Sequence, residues 1–206
     1  MEEKMQIIYD NDQLNIDNNI GVINEIFNKV NMAIENKNIV FSHLVIDGVD
    51  VYENHVAYIE ERMDSITKIE IITRNMKEMI WETMDSIHVY LKRAIPALNE
   101  LVDESYENFS RNSWDGIDQL AEGMQWILQF MTFTKTAHQQ PPNWQEIKKS
   151  LLQCETSFAQ LLEAVEAKDT ILITDILSYE VTPAYESLAN HLAIALDDKE
   201  FLKNVN

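Results

Sequence analysis

The sequence predicts an α+β protein, in which a small N-terminal domain of strands around one helix is followed by an antiparallel up-down four-helix bundle. The spacing of apolar residues changes near residue 75, from the alternation typical of strands to the three-and-four spacing typical of helices. Short connections join the later helical segments, which makes consecutive helices antiparallel neighbours. We therefore predict two domains, residues 1–75 and residues 76–206.

The N-terminal domain is predicted to open with a hairpin. Apolar and polar residues alternate over Met5–Asp10 and again over Leu14–Asp17, which is typical of half-buried strands. Asn11 and Asp12 lie between the two runs and suit a tight turn, because both residue types tolerate positive φ. A helix follows, with an N-cap within residues 17–19. Its apolar face is expected to carry Ile20, Ile23, Ile26, Phe27, Val30 and Ile34.

A second hairpin is predicted after this helix. The β-rich run Ile39–Ile46 leads into Asp47-Gly48, which is the strongest short hairpin signal in the chain, and then into Val49–Val51. The spacing of apolar residues over Tyr52–Ser65 is less regular, so that no helix or strand is predicted there.

The last predicted strand is Thr67–Thr73, with Ile69 and Ile71 on one face. The resulting order of strand, strand, helix, strand, short strand and strand resembles the ubiquitin-like β-grasp, and the segments at residues 5–7 and 44–48 look similar to it. The resemblance covers residues 5–73, about the first third of the chain. It implies a mixed sheet wrapped around one helix and a binding module. It implies no conjugation, because that chemistry needs a free Gly-Gly tail and here the last strand leads directly into a helix.

The C-terminal part carries apolar seams at helical spacing. The first predicted helix carries Ile80, Met84, Ile87, Leu91, Ala94, Leu98 and Leu101; the second carries Ile117, Leu120, Met124, Ile127 and Met131; the third carries Ile147, Leu151, Cys154, Phe158, Leu161 and Val165. Pro96 lies inside the first of these helices and is expected to kink it, because proline removes one helical hydrogen bond.

The connections and the fourth helix complete the predicted bundle. Gln139–Pro142 is the clear loop, and Asn143 with Glu146 resembles a capping box at the start of the third helix. A short turn over Ala167–Asp169 precedes the fourth helix. That helix is expected to run from about residue 170 to residue 196, and Pro183 either kinks it or restarts it.

Composition and charge exclude several classes of function. The chain has 206 residues, of which 46% are hydrophobic and 25% are charged, as in an ordinary folded domain. Its 35 acidic and 16 basic residues give a net charge of −19, which argues against binding to nucleic acid or to anionic lipid. The four glycines occur in no phosphate-binding arrangement, so that no nucleotide cofactor is predicted.

Other features of the sequence predict a cytoplasmic protein. The first residues show no secretory signal, and the most apolar window, Met124–Phe133, is too short to span a bilayer. A single cysteine, Cys154, forms no internal disulfide, in keeping with a reducing compartment. Asn, Ile and Lys are plentiful while Ala and Gly are few, which is typical of an AT-rich coding genome and favours a bacterial source.

Three groups of residues are candidate sites of chemistry, and an ordinary structural role is favoured for each. Glu82, Asp85 and His88 share a helix face, but a di-metal bundle needs a second such set. A second acidic group, formed by Asp115, Asp118 and Glu122, lies near the start of its helix, where carboxylates complement the helix dipole. Cys154 falls on a core seam, where a free cysteine acts as a small hydrophobe. No catalytic, cofactor-binding or metal-binding residue is predicted.

The second helix of the bundle carries an additional apolar stripe. Gly123, Trp126, Phe130 and Phe133 follow one another at helical spacing, beside the core seam of the same helix. The combined apolar arc is wider than one core face needs. The stripe is therefore either buried inside the protein or exposed as a surface for a partner or a second copy. In the latter case Trp126, Phe130 and Phe133 are the predicted partner-binding residues.

The sequence favours a non-enzymatic function, namely a protein–protein interaction or adaptor module that acts through its helical bundle. The partner is another protein or a second copy of the chain. An alternative is an export-chaperone-like bundle that shields an amphipathic substrate segment, since methionine side chains repack against varied apolar faces. Nine methionines, including Met76, Met79 and Met84, are compatible with that role. A metal-dependent enzyme of the helical-bundle type is a further alternative.

Overall fold

The protein is an α+β chain with a sheet at the N-terminus and helices after it. A computed structural model describes residues 4–10, 12–17, 21, 24, 26, 28, 30–31, 39–135, 137 and 139–202. The chain divides into two compact units, Met1–Glu78 and Met79–Asn206, and each is described by itself below.

The first unit contains a five-stranded mixed sheet. Its strands are β1 (Lys4–Tyr9), β2 (Asp12–Asp17), β3 (Ile39–Ile46), β4 (Val49–Val51) and β5 (Lys68–Asn75). The strand order is β2-β1-β5-β3-β4, with β1 parallel to β5 and the other pairs antiparallel. These strands confirm the strands predicted from alternation, because β1, β3 and β5 each bury apolar residues in a common core, against which Ile16 of β2 packs.

A helix packs into the core of this sheet. The described positions 21, 24, 26, 28, 30 and 31 are helical, and Ile26 and Val30 are buried among the apolar residues of the sheet. Both residues belong to the predicted apolar face. The other four residues predicted for that face, at positions 20, 23, 27 and 34, lie outside the described residues.

Two predictions for this unit are wrong in detail. Asp12 was predicted as a turn residue, but it already belongs to β2 and pairs with Tyr9, while Asp10 adopts a φ of 55°. The irregular segment contains a helix, α1 (His55–Arg62). Ile59 of α1 is fully buried, and the Arg62 guanidinium lies 4.1 Å from the centre of the Tyr58 ring. One buried residue per two turns is too weak a pattern for sequence periodicity to detect.

The second hairpin is confirmed at Asp47-Gly48. Asp47 and Gly48 have φ values of 48° and 84°, as the two central residues of a type I′ turn require. The Asp47 carboxylate accepts hydrogen bonds from the Thr67 hydroxyl at 2.6 Å and from the backbone N–H groups of Thr67 and Lys68 at 3.1 and 2.8 Å. Burial is the largest single influence and raises the pKa of Asp47, but these hydrogen bonds together outweigh it and the pKa is lowered. The carboxylate therefore ties the hairpin to the start of β5.

Asp47→Asn is expected to destabilise the first unit by about 1 kcal/mol, because the amide replaces a charged acceptor of several hydrogen bonds. Asparagine also tolerates positive φ, so that the turn itself is retained. Since folding lowers the pKa of Asp47, the carboxylate stabilises the protein above its ordinary pKa of 3.8, and this contribution is lost as the pH falls through the folded-state pKa.

The free energy of unfolding of the first unit is measured for the wild type and Asp47→Asn in urea, with the NMR signals of the amide groups in β3, β4 and β5 as the probe. The difference is expected at pH 7 and is expected to shrink as the pH falls below 3.8 and through the lowered folded-state pKa of Asp47. The exposed Glu53 provides the control substitution, Glu53→Gln, which leaves stability within about 0.5 kcal/mol. A difference that stays unchanged once the pH is low enough to protonate the folded-state carboxylate would contradict the assigned role of the carboxylate.

The second unit is helical. Its elements are α2 (Met76–Glu107), whose first three residues precede the unit boundary, α3 (Arg111–Lys135), α4 (Trp144–Ala167), α5 (Thr170–Ile176), a π-helical turn (Leu177–Val181), α6 (Thr182–Asp197) and a 3₁₀ turn (Lys199–Leu202). The predicted seams of α2, α3 and α4 supply much of the core, although Ala94, Leu101, Phe158 and Val165 are only partly buried. Helix α2 runs through Pro96 as one 32-residue helix.

The fourth predicted helix is continuous at Pro183, where either a kink or a restart was expected. The chain continues from α5 to α6 without a break, and a single π-helical turn precedes the proline. Both the backbone N–H and the hydroxyl of Thr182 donate to the Leu177 carbonyl, the hydroxyl at 2.9 Å. Pro183 then occupies the first turn of α6, where its missing N–H costs little.

Helices α4 and α6 are antiparallel neighbours, as the short turn predicts. Lys168 ends α4 with a φ of 55°, and the Asp169 carboxylate caps α5 by accepting from the Leu172 N–H at 3.1 Å. The capping box predicted at Asn143 is wrong, since the Asn143 side chain makes no cap hydrogen bond. Its amide instead donates to the His191 carbonyl at 3.2 Å and so links the start of α4 to the later part of α6.

Candidate functional site

A hollow of about 400 Å³ lies between α2 and α3, and we call it the α2–α3 hollow. Its apolar lining comprises Ala94, Ala97, Leu98, Leu101 and Leu120. The two helices run antiparallel, since Tyr90 meets Trp126 while Leu101 meets Gly116. Where α2 presents alanines, its side chains are too short to fill the space between the helices, and the hollow results.

Two glycines of α3 accept large side chains of α2 near the ends of the hollow. A Cβ added at Gly116 would lie 2.9 Å from a terminal methyl group of Leu101. A Cβ added at Gly123 would overlap the Tyr90 hydroxyl and ring. The Tyr90 ring therefore crosses α3 at Gly123, and it meets Trp126 edge to face with ring centroids 6.0 Å apart. Gly123, predicted only as a member of a stripe, is thus a packing site for Tyr90.

The polar groups of the hollow are Tyr90, Arg93 and Gln119. Tyr90 is half-buried, and burial raises the pKa of its phenol, while the nearby Tyr185 hydroxyl opposes that shift. Burial likewise raises the pKa of Tyr185 far above its ordinary value. Both phenols are therefore neutral at physiological pH, and Arg93 supplies the charge of the lining.

The second apolar stripe divides between core and surface. Phe130 is 2% exposed and packs edge to face on Trp144, with ring centroids 6.1 Å apart. Phe130 is therefore a core residue of this chain. Trp126 is 38% exposed and contacts Tyr90, which lines the hollow, and Phe133 is half-buried. None of the three predicted partner-binding residues lines the hollow, and of the three Trp126 is the one that contacts a lining residue, Tyr90.

The acidic groups considered as sites of chemistry are not brought together. Glu82 and Asp85 are exposed, and His88 is half-buried, with an Nδ1 atom that has no hydrogen-bond partner among the described residues. Within the described part of the chain, no three His, Cys, Asp or Glu residues form a possible metal site. Asp115, Asp118 and Glu122 are exposed on α3 and form no part of the lining.

The described helices also include none that is long and apolar enough to cross a membrane.

Cys154 is a core residue, as its position on a seam predicts. Its side chain is completely buried, and burial raises the pKa of the thiol to about 12. A thiol with this pKa is protonated at physiological pH and is a poor nucleophile.

A partly buried polar network connects α4 and α6, and sequence reasoning missed it. The Ser150 hydroxyl lies 2.9 Å from the Ser187 hydroxyl and 2.9 Å from the His191 Nδ1 atom. A serine on the apolar seam of α4, three residues after Ile147, is the sequence signal that could have revealed it. Ser150 is 2% exposed, and no carboxylate hydrogen-bonds to His191 among the described residues. The network therefore joins helices and lacks the orienting acid and the access of a catalytic triad.

An exposed aromatic group lies elsewhere on the helical unit. The Tyr106 hydroxyl donates to an Asp175 carboxylate oxygen at 2.7 Å, and that hydrogen bond is the main reason that the pKa of Tyr106 is raised to about 12. Tyr179 contributes to the same surface and is largely exposed. Tyr106, Asp175 and Tyr179 do not line the α2–α3 hollow, which is therefore the better candidate site.

Comparison with known proteins places the chain in a family. Searches of curated proteins and of solved structures find no match to it. A profile of one domain family, described as a domain of unknown function (DUF8042), matches residues 82–191. This span contains every residue that lines the α2–α3 hollow and covers more than half of the 206 residues. The chain therefore belongs to the DUF8042 family.

Proposed function

We propose that this protein is a non-enzymatic interaction or adaptor module of the cytoplasm, and that it binds another protein through the α2–α3 hollow. The observation that carries the proposal is an apolar hollow of about 400 Å³ whose lining residue Tyr90 contacts a tryptophan, Trp126, that is 38% exposed. Tryptophan and tyrosine are enriched among the residues that contribute most to binding at protein interfaces. Trp126 and Tyr90 would form one wall of that interface.

The architecture that we propose for this function has two domains, residues 1–75 and residues 76–206. For the first, a β-grasp-like domain is supported by the strand order β2-β1-β5-β3-β4 and by the parallel pairing of β1 with β5. For the second, an antiparallel four-helix bundle is supported by the cross-helix contacts of α2 with α3 and of α4 with α6. The hollow lies within the second domain.

The two alternative functions receive less support than the interaction module. An export chaperone would use exposed methionines, whereas Met76 is 7% exposed, Met79 is half-buried and Met84 is fully buried. A metal-dependent enzyme would need ligands close together, and the carboxylates of Glu82 and Asp85 are exposed without a third ligand within reach among the described residues.

Ala97→Trp tests the proposed function, because the larger side chain would fill the α2–α3 hollow. The control is Ala159→Trp, which makes the same substitution at an exposed position of α4 that takes no part in the lining. Each protein is immobilised, and the proteins that it retains from an extract of its own source cells are identified by mass spectrometry. We expect a partner that the wild type and Ala159→Trp retain equally and that Ala97→Trp retains at least about tenfold less.

Circular dichroism and thermal unfolding show whether both variants are folded. The proposal is wrong if no partner is retained at stoichiometric amounts and analytical ultracentrifugation shows no self-association. It is also wrong if folded Ala97→Trp retains the same partner as well as the control does.

A further inference from the structure

We propose that the occupant of the α2–α3 hollow is a single amphipathic helix of the partner, with basic residues beside its apolar face. This inference rests on the proposed function, since it names the class of partner that the hollow would bind. Helix-in-groove recognition uses apolar side chains at spacings of three and four residues, inserted between two helices of the receptor.

The form of the hollow favours a helix as the occupant. It lies along the seam between two antiparallel helices, with Ala94 and Ala97 on one side and Leu120 on the other. Tyr90 packs on Gly123 near one end of this seam and Leu101 on Gly116 near the other. A partner helix that lies along the seam would therefore insert a row of large apolar side chains into the hollow, between these two contacts. Trp126 would pack against the side of these partner side chains.

The charges that border the hollow favour a basic partner. Glu100 and Glu104 of α2 lie within one helical turn of the lining residues Ala97 and Leu101, and both carboxylates are exposed. On α3, Asp115 lies four residues before the lining Gln119 and Glu122 lies three residues after it, and both carboxylates are also exposed.

These four carboxylates outnumber the three positive charges nearby, which belong to Lys92, Arg93 and Arg111. Arg93 lines the hollow, and it forms no ion pair with a carboxylate among the described residues. Arg111 approaches Asp115 at 3.9 Å, and both side chains are so exposed that solvent screens this contact strongly. The chain as a whole carries a net charge of −19, which would attract a cationic helix and repel an acidic one.

Two labelled peptides of equal length test this proposal by fluorescence anisotropy. The basic peptide is LKKLLKLLKKLLKL, and the acidic peptide LEELLELLEELLEL has the same apolar positions. We expect the full-length protein to bind the basic peptide at least about tenfold more tightly than the acidic one, with an affinity that falls as salt is added. Ala97→Trp should weaken binding of the basic peptide about tenfold without any change in charge, whereas Ala159→Trp should not.

Charge-reversed variants separate a local effect from general attraction. The double variant Glu100→Lys/Glu104→Lys should weaken binding at least about tenfold. The double variant Glu163→Lys/Glu166→Lys makes the same charge change on exposed positions of α4 and should weaken it less than about threefold. Equal losses in the two double variants would overturn the proposal, because the attraction would then be non-specific.

The remaining outcomes also overturn the proposal, and each says whether the proposed function survives. Equal or tighter binding of the acidic peptide removes the basic partner but leaves a protein-binding hollow. If Ala97→Trp binds the basic peptide as tightly as the wild type does, the hollow is not the binding site of the peptide. If neither peptide binds, the amphipathic helix is wrong, while retention of a cellular partner that depends on Ala97 would still support the interaction module.

Discussion

Tyr185→Ala is expected to lower the free energy of unfolding of the helical unit by about 3–5 kcal/mol, the usual range for removing a large aromatic side chain from a core. Tyr185 is completely buried on α6, and among the described residues it has the largest of the fully buried side chains. Its ring fills space that the surrounding helices cannot close when it is removed. Urea unfolding followed by the fluorescence of the four tryptophans, all in this unit, measures the loss.

Tyr185→Phe is the matched control for this prediction. The Tyr185 hydroxyl is buried and makes no well-formed hydrogen bond among the described residues, although the Tyr90 hydroxyl lies near enough to affect its pKa. Removing the hydroxyl while keeping the ring should therefore change stability by less than about 1 kcal/mol. A loss for Tyr185→Phe as large as that for Tyr185→Ala would show that the hydroxyl, and not the volume of the ring, stabilises the core.

Gly123→Ala is expected to destabilise the helical unit by about 1–2 kcal/mol, although alanine is the better helix former. The new methyl group would overlap the Tyr90 ring, which must leave its place across α3 and lose its contact with Trp126. Overpacking of this kind costs typically about 1–3 kcal/mol, and the gain in helix propensity returns about 1 kcal/mol at most. Thermal and urea unfolding measure the net effect.

Gly116→Ala makes the same change two turns earlier on the same helix and provides the comparison. There the new methyl group meets only the flexible end of Leu101, which can rotate away. We expect this variant to be as stable as the wild type or more stable by up to about 1 kcal/mol. If the two variants proved equally stable, the packing of Tyr90 on Gly123 would have no energetic importance.

Local patterns in the sequence predicted much of the fold. The Asp47-Gly48 hairpin was found because only a few residue types adopt the positive φ values of that turn. The long helices were found because seams such as Ile117, Met124 and Ile127 recur at the period of a helix and are buried in the structure. In these elements the local preference and the burial of one face agree.

Other features depended on contacts between distant parts of the chain. Helix α1 depends on the burial of Ile59 in the core of the first unit, which its own eight residues barely signal. The Asn143 side chain reaches the His191 carbonyl instead of capping its own helix, because α6 lies beside it. Sequence spacing shows which residues share a helix face, but it does not show which neighbour meets that face.

The candidate site shows the same division between sequence and tertiary structure. The sequence by itself determined the α+β class, the positions of the long helices and an apolar stripe on α3. Only the tertiary structure decided that Phe130 of this stripe is buried against Trp144 while Trp126 stays partly exposed beside Tyr90. The hollow arises where the small side chains of one helix face another helix, and this pairing is a property of two packed surfaces, which no single helix encodes.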